Sequence, residues 1–225
     1  MKDCKISYIF PCRDRFEKFF ATLNNIRELS ESDNYEVICP LDENDPILNN
    51  EYVKIKLRSY KNVTAYYGES EGKISACNRE AFRATGQIMC LQSDDMVWTE
   101  KGFDNIIREA AKGYSGLIHF PDQRLNEQLI TYPIMTRDYF DMFGYFYHKD
   151  YLSVYADMEQ MEVAKELGKY KYVDRNIIRH EHYRGGYGEP DSLMKHNERA
   201  EFYLHDREVY NQRKLINFGL SKITA

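Results

Sequence analysis

The sequence predicts an α/β fold with a mixed, mostly parallel central sheet flanked by helices and followed by an extended C-terminal tail. Two observations carry that expectation. Short β-prone runs alternate with amphipathic helical stretches through the first hundred residues, the pattern that opens a parallel sheet. Both acidic clusters of that half stand where a predicted strand ends, and in open parallel sheets ligands gather beyond the carboxyl ends of strands.

Taken in order, KISYIF at 5 to 10 is the first strand, ended by Pro11. Asp14 and Glu17 have the spacing of a helix-starting capping pair, and Phe16, Phe19, Phe20, Leu23 and Ile26 then share one helical face. A second strand, YEVICP at 35 to 40, runs into the acidic loop of Leu41, Asp42, Glu43, Asn44 and Asp45, and a third covers 62 to 68. Between Gly72 and Gly86 the positions Ile74, Cys77, Ala81 and Ala84 recur at spacings of three and four, which predicts a helix closed by glycine. A buried strand from Ile88 to Leu91 follows and ends in Ser93, Asp94 and Asp95; Thr99 is placed to cap a helix carrying Phe103, Ile106, Ile107 and Ala110. The second half is less regular, with strands expected at 117 to 120, 129 to 135 and 176 to 182, and a helix from 153 to 167 stopped by Gly168. A domain of 1 to 190 and a partly helical tail of 191 to 225 laid across it are the expected organisation.

Composition narrows the function classes. The 225 residues are enough for one sizeable core, and 31 basic against 36 acidic side chains give a formal charge of −5, which argues against a nucleic acid polymer as partner. A nucleotide as a small ligand stays compatible. The 19 tyrosines fit packing first and sugar-ring contact second. Five cysteines in no close pair suggest neither a zinc site nor a disulfide framework. With no run near the ~18 apolar residues of a membrane span and no signal-peptide core, a cytoplasmic protein without a transmembrane segment is expected.

Two carboxylates at the end of a buried strand suit Mg²⁺ or Mn²⁺, which take oxygen ligands from a few side chains, water and substrate phosphate. Adjacent side chains diverge as they leave a strand, so Asp95 is the expected metal ligand and Asp94 the one turned to ribose or an outer water. His180 and His182 share a strand face, and either imidazole could complete the site. The loop Arg184, Gly185, Gly186, Tyr187, Gly188 has the flexibility to close over a donor, and Arg184 to pair with a diphosphate.

Taken together, ISYIFPCRDR, ICPLDENDP and GKISACNREAFRATGQIMCLQSDDM resemble the inverting, GT-A-fold glycosyltransferases of family 2, over roughly residues 5 to 185. The resemblance implies a GT-A (Rossmann-like) sheet and transfer of a sugar from a nucleotide diphosphate donor, uridine-linked, to a hydroxyl of a glycan or other acceptor, with inversion. It places Pro11, Arg13, Asp42, Asp45, Lys73, Asn78, Asp94 and Arg184 around the donor, and sets Asp94 and Asp95 in the position of the family's Asp-x-Asp metal motif. The catalytic base carries over to Asp157, with Glu159 as substitute. Two departures stand out: LDENDP replaces the usual Asp-Asp-Gly-Ser loop, and Ala156-Asp157-Met158-Glu159 keeps only the second acid of the Glu-Asp motif. A sugar nucleotidyltransferase is the competing enzyme, but the turn at 11 to 15 lacks the glycine-rich loop it needs. A non-catalytic sugar-nucleotide or glycan-binding module is the competing binder.

Overall fold

The computed structural model describes residues 4–222, so the first three residues of the expected domain and the last three of the expected tail lie outside the described residues. Nine strands and eight α-helices are present among them. They run β1 (Ile6–Ile9), α1 (Phe16–Leu29), β2 (Tyr35–Asp42), α2 (Glu51–Leu57), β3 (Val63–Gly68), α3 (Lys73–Asn78), β4 (Ile88–Leu91), β5 (Met96–Trp98) and α4 (Phe103–Ala111). Then follow β6 (Leu117–His119), β7 (Ile134–Thr136), α5 (Arg137–Phe143), α6 (Ala156–Glu166), β8 (Tyr170–Tyr172), β9 (Ile178–His180), α7 (Ser192–Asn197) and α8 (Ala200–Leu215).

Seven strands form one sheet in the order β3-β2-β1-β4-β7-β6-β8, and β5 pairs with β9 in a separate ribbon. The pairs β2/β3, β1/β2, β1/β4 and β6/β8 are parallel, while β7 is antiparallel to both neighbours. Every residue of β1 and β4 is buried, as expected of central strands covered on both faces. Alternation then sorts their side chains. Ile6, Tyr8, Ile88 and Cys90 join the apolar layer under α1 and α4, whereas Ile9, Met89 and Leu91 join the layer under α3, α5 and α6.

Several local expectations are corrected. Asp14 caps nothing: α1 starts at Phe16 with no side-chain cap, and Asp14 sits at φ 58° with its backbone N–H on Asp45. Thr99 is likewise not a cap, because α4 begins after Gly102, whose φ of 79° turns the chain into the helix. The stretch from Gly72 to Gly86 is the short α3 followed by a 3₁₀ turn at Ala81–Arg83. Gly86 closes no helix; it lies against β1, where a Cβ would meet the Lys5 carbonyl oxygen and Ser7 Oγ at 2.6 Å. The strand expected at 129 to 135 is only β7, and the helix expected from 153 starts at Ala156. Gly168, at φ 65°, does follow the end of α6. The strand expected through 182 ends at His180.

The C-terminal segment is more helical than its charge pattern suggests. α8 is held to α6 by Arg213 on Glu159 and by Tyr210 on Glu162, and its buried Asp206 accepts the backbone N–H groups of Leu152, Ser153 and Val154. Among the described residues no helix is long and apolar enough to cross a membrane.

Candidate active site

The carboxyl ends of β1, β2 and β4 converge, and the loops there carry most of the residues singled out by sequence. Asp42, the last residue of β2, is buried and accepts from Arg13 Nη1 at 2.6 Å, Ser70 Oγ at 3.0 Å and Arg79 Nη1 at 3.0 Å. Arg13 also reaches Asn44, so the turn after β1 and the loop after β2 are tied together. Pro11 begins that turn and Cys12 bridges to Leu41. Asp45 is fully buried and accepts from the N–H groups of Asp14, Ile47 and Leu48, bonds that shape the loop itself.

Beyond β4 the two neighbouring aspartates diverge, as alternation requires. Asp94 is buried against Arg15 Nη1 at 2.6 Å and the Cys12 thiol at 3.2 Å, and burial pushes its carboxyl above the ordinary value despite Arg15. Arg15 in turn forks onto Asp191, the residue that caps α7. Asp95 turns the other way. Its Oδ1 accepts from Ser93 Oγ at 2.6 Å and its Oδ2 lies 3.4 Å from His180 Nε2.

The β5/β9 ribbon is what brings Asp95 and His180 together. Its register sets His180 opposite Met96, the residue after Asp95, and Glu181 donates its N–H to the Asp95 carbonyl at 2.7 Å. Trp98 anchors the ribbon: it stacks on Phe103 at 4.1 Å, and its indole N–H donates to Gln92. The other ring nitrogen of His180, Nδ1, meets Asp122 Oδ2 at 3.1 Å. Asp122 is itself fixed by the N–H groups of Arg124, Leu125 and Asn126 and by Thr131. Burial works against both charges of this row. It is outweighed in each case: His180 and Ser93 hold Asp95 well below the ordinary carboxylate value, and Asp122 and Asp95 lift His180 above that of a free imidazole.

The facing pair of Asp95 and His180 is the candidate place for a divalent ion. Among the described residues no group of three or more His, Cys, Asp or Glu is placed to hold a metal ion. An open pair suits Mg²⁺ or Mn²⁺, which keep water and substrate phosphate as ligands, and two adjacent corners of an octahedron with bonds of about 2.1 Å stand about 3 Å apart. The 3.4 Å between Asp95 Oδ2 and His180 Nε2 is close to that span. Asp122 on Nδ1 leaves Nε2 directed at Asp95, the outer-carboxylate arrangement common behind metal-binding histidines.

His182 is differently placed. Its ring meets that of His180 at 5.2 Å, but Nδ1 accepts the Arg184 N–H and Nε2 faces Glu198 at 3.0 Å, so both nitrogens are engaged. Arg184 is paired with the same Glu198 at 2.6 Å, and Tyr183 joins them, so the start of the glycine loop is tied down to the end of α7.

Asp157 lies in the first turn of α6, where the helix dipole favours the ionised form. Burial raises its carboxyl above the ordinary value, and the nearby charges of Lys73 and His180 oppose that rise. The chain enters α6 through Tyr155 at φ 63°, a strained conformation for a side chain of this size. Glu159 is committed elsewhere: it is buried and accepts from Tyr151 and twice from Arg213, each at 2.7 Å. Lys73 donates to the Ser153 carbonyl at 3.1 Å, and Asn78 clamps the 146–147 backbone through both ends of its amide.

Sequence reading missed Asp122, Arg15, Cys12, Asp191 and Glu198. Asp122 and Arg15 did carry a signal, since each follows a predicted strand by a few residues. Asp191 and Glu198 carried none, because their role depends on where the tail folds.

The solved structures place this architecture. The mannosyltransferase PcManGT from Pyrobaculum calidifontis, solved with GDP-Man and Mn²⁺, matches at TM-score 0.59 with 15% identity over 76% of this chain and 54% of its own. TarS from S. aureus matches at 0.62 with 13% identity over 77% of this chain and 36% of its own, and its 1-349 fragment at 0.60 with 14% identity over 77% and 59%. The chain therefore has the GT-A type of α/β fold, and it spans between 36% and 59% of the length of these neighbours. No protein-family profile and no curated protein sequence matches it.

Proposed function

We propose that this chain is a metal-dependent glycosyltransferase that moves a sugar from a nucleotide diphosphate donor, uridine-linked, to an acceptor hydroxyl with inversion. The single observation that carries the reading is the row Asp95, His180, Asp122 at the carboxyl end of β4. Asp95 and His180 would hold Mn²⁺ or Mg²⁺, and the bound ion would supply neutralising charge to the leaving diphosphate. The presence of Mn²⁺ and GDP-Man in the neighbour PcManGT is compatible with this and leaves the nucleobase to be tested.

The remaining steps belong to the chain's own groups. Asp42, held by Arg13, Ser70 and Arg79, presents a fixed acceptor to a base N–H or a ribose hydroxyl, and Pro11, at the start of the turn that carries Arg13, is assigned to the same donor contact. Asp94, paired with Arg15, is assigned to the ribose side of the donor. Asp157 takes the proton from the acceptor hydroxyl as the oxygen attacks the anomeric carbon; a carboxyl raised by burial is the better base for that step. Glu159 is assigned to holding α6 on α8, since it is buried and its charge is neutralised by the two-pronged contact of Arg213. Arg184 reaches the donor diphosphate only by exchanging Glu198 for it, which makes His182 and Glu198 the resting partners of a closing loop.

Thermal denaturation with UDP and with GDP, each with and without Mn²⁺, tests the reading cheaply, because a ligand that binds only the folded state raises apparent stability. Metal-assisted stabilisation by one of them that is lost in Asp95→Asn is expected. Equal stabilisation of parent and variant removes the metal assignment.

A further inference from the structure

A groove of about 640 Å³ opens between the start of α3, the 149–152 loop and the junction of α7 with α8. Its charge contrasts with the whole chain, which carries −5. Lys73, Arg79, Lys149 and Arg199 line it against one carboxylate, Glu71, with the imidazole of His196 beside them. Arg79 is consumed by Asp42 and by the carbonyls of Leu41 and Glu69. Among the described residues Lys73, Lys149 and Arg199 form no ion pair at all; Lys73 donates only to a carbonyl, and Arg199 lies over the Phe202 ring at 3.9 Å. Glu71 is turned to Ser75 at 2.8 Å. Cations gathered in excess of their counter-charges destabilise a fold slightly, so the convergence of Lys73, Lys149 and Arg199 is explained most directly by an anionic ligand.

Lys73 links the groove to the start of α6, which carries the proposed base. Lys73 touches the Ser153 carbonyl, four residues before Asp157, and is near enough for its charge to bear on that carboxylate. The wall is also partly apolar, from Ile74, Leu152 and Phe202, and so offers a flat surface beside the cations. Asp42, Asp94 and Asp95 lie outside the lining, but Arg79, which holds Asp42, is part of it, so the groove adjoins the donor contacts and the test must separate the two.

We infer that this groove seats the acceptor, and that the acceptor is an anion, a phosphate- or carboxylate-bearing molecule with an apolar or ring face, gripped by Lys149 and Arg199 and presented past Lys73 to Asp157. The inference rests on the transferase reading for the word acceptor. The anion site itself is tested without turnover.

The test is a calorimetric titration of the full chain with phenyl phosphate and with benzyl alcohol as its uncharged counterpart. Phenyl phosphate is expected to bind, less tightly as salt is raised, while benzyl alcohol does not. The double variant Lys149→Ala with Arg199→Ala changes two exposed side chains, so it should melt like the parent, and removal of both cations should weaken phenyl phosphate binding roughly tenfold. Repeating the titration with saturating UDP and Mn²⁺ separates the two sources of phosphate: retained binding supports an acceptor site, and displacement overturns it in favour of the donor's own diphosphate. Unchanged affinity in the double variant also overturns it. Nucleotide binding is read by its own stabilisation experiment, so failure of the donor reading shows there and not in this titration.

Discussion

Replacing Glu159 with Gln separates a structural carboxylate from a catalytic one. In the parent, Glu159 is 4% exposed and receives three hydrogen bonds, two from Arg213 and one from Tyr151. The amide keeps the shape but removes the charge, and its NH₂ group must face either Arg213 Nη2 or the pair Tyr151 O–H and Arg213 Nε, donor against donor. Breaking a buried ion pair by removing one partner costs about 3 to 5 kcal/mol. The side chain of Arg213 is 13% exposed and recovers some hydration, so the lower end, about 3 kcal/mol, is the expected loss. For a chain of this size that corresponds to a fall in melting temperature of roughly 6 to 12 °C. Circular dichroism melts give the stability, and single-turnover transfer below the lowered transition, normalised to folded protein, gives the chemistry. The expected result is a clear drop in melting temperature with transfer within a few-fold of the parent. A variant that melts within 2 °C of the parent (about 1 kcal/mol or less) yet loses transfer would refute the assignment and move the base to Glu159.

Three further outcomes concern the site, and a fourth the sheet beneath it. Asp157→Asn should keep its fold and its nucleotide binding while transfer falls roughly 10²- to 10⁴-fold, and near-parent transfer would remove Asp157 from the mechanism. Because burial raises the Asp157 carboxyl and Lys73 opposes that rise, the acid limb of transfer should lie above the ~4 of an ordinary carboxylate and move higher still in Lys73→Met; a limb that stays put contradicts the pairing. His180 must release its proton to bind a metal and holds it more tightly than a free imidazole, so Mn²⁺ affinity, measured by titration, should weaken steeply as pH falls through that raised value; affinity flat from pH 8 to pH 5 would exclude the imidazole as a ligand. Gly86→Ala puts a methyl group 2.6 Å from β1 and should cost about 1 to 3 kcal/mol in urea denaturation, and a neutral result would mean that β1 and β4 can part at that point.

The parts of the fold that could be read from sequence are those whose burial is recorded in a single strand or helix. β1 and β4 are unbroken apolar runs, and α4 keeps its inner residues at helical spacing. The missed elements have their cause in other parts of the chain. α2 reads EYVKIKL, whose Val and Ile alternate with charge as a strand's would, and only the Asn50 cap and its packing on β3 make it a helix. β5 is three residues long and exists because β9 pairs with it, and β8 is an edge strand of half-buried Tyr-Lys-Tyr. The candidate site divides in the same way. Asp42, Asp94 and Asp95 are announced by strand ends, and His180 by its spacing, but the partner that orients His180 is Asp122, from a different loop. Glu159 could not be told from a catalytic acid in sequence, since its neutralising partner Arg213 is 54 positions away.

The most direct measurement of the central claim is nucleotide release from a panel of UDP- and GDP-linked sugars, with Mn²⁺, with Mg²⁺ and with chelator, for the parent chain and for Asp95→Asn. The account predicts slow hydrolysis of at least one donor to the nucleoside diphosphate by the parent, dependent on metal, and near-complete loss in the variant when both are assayed below the variant's own melting transition, which loss of the Asp95 charge beside His180 is expected to lower. Release of pyrophosphate instead of a nucleoside diphosphate, no release from any donor, or parent rates in Asp95→Asn with an unaltered metal response would contradict it.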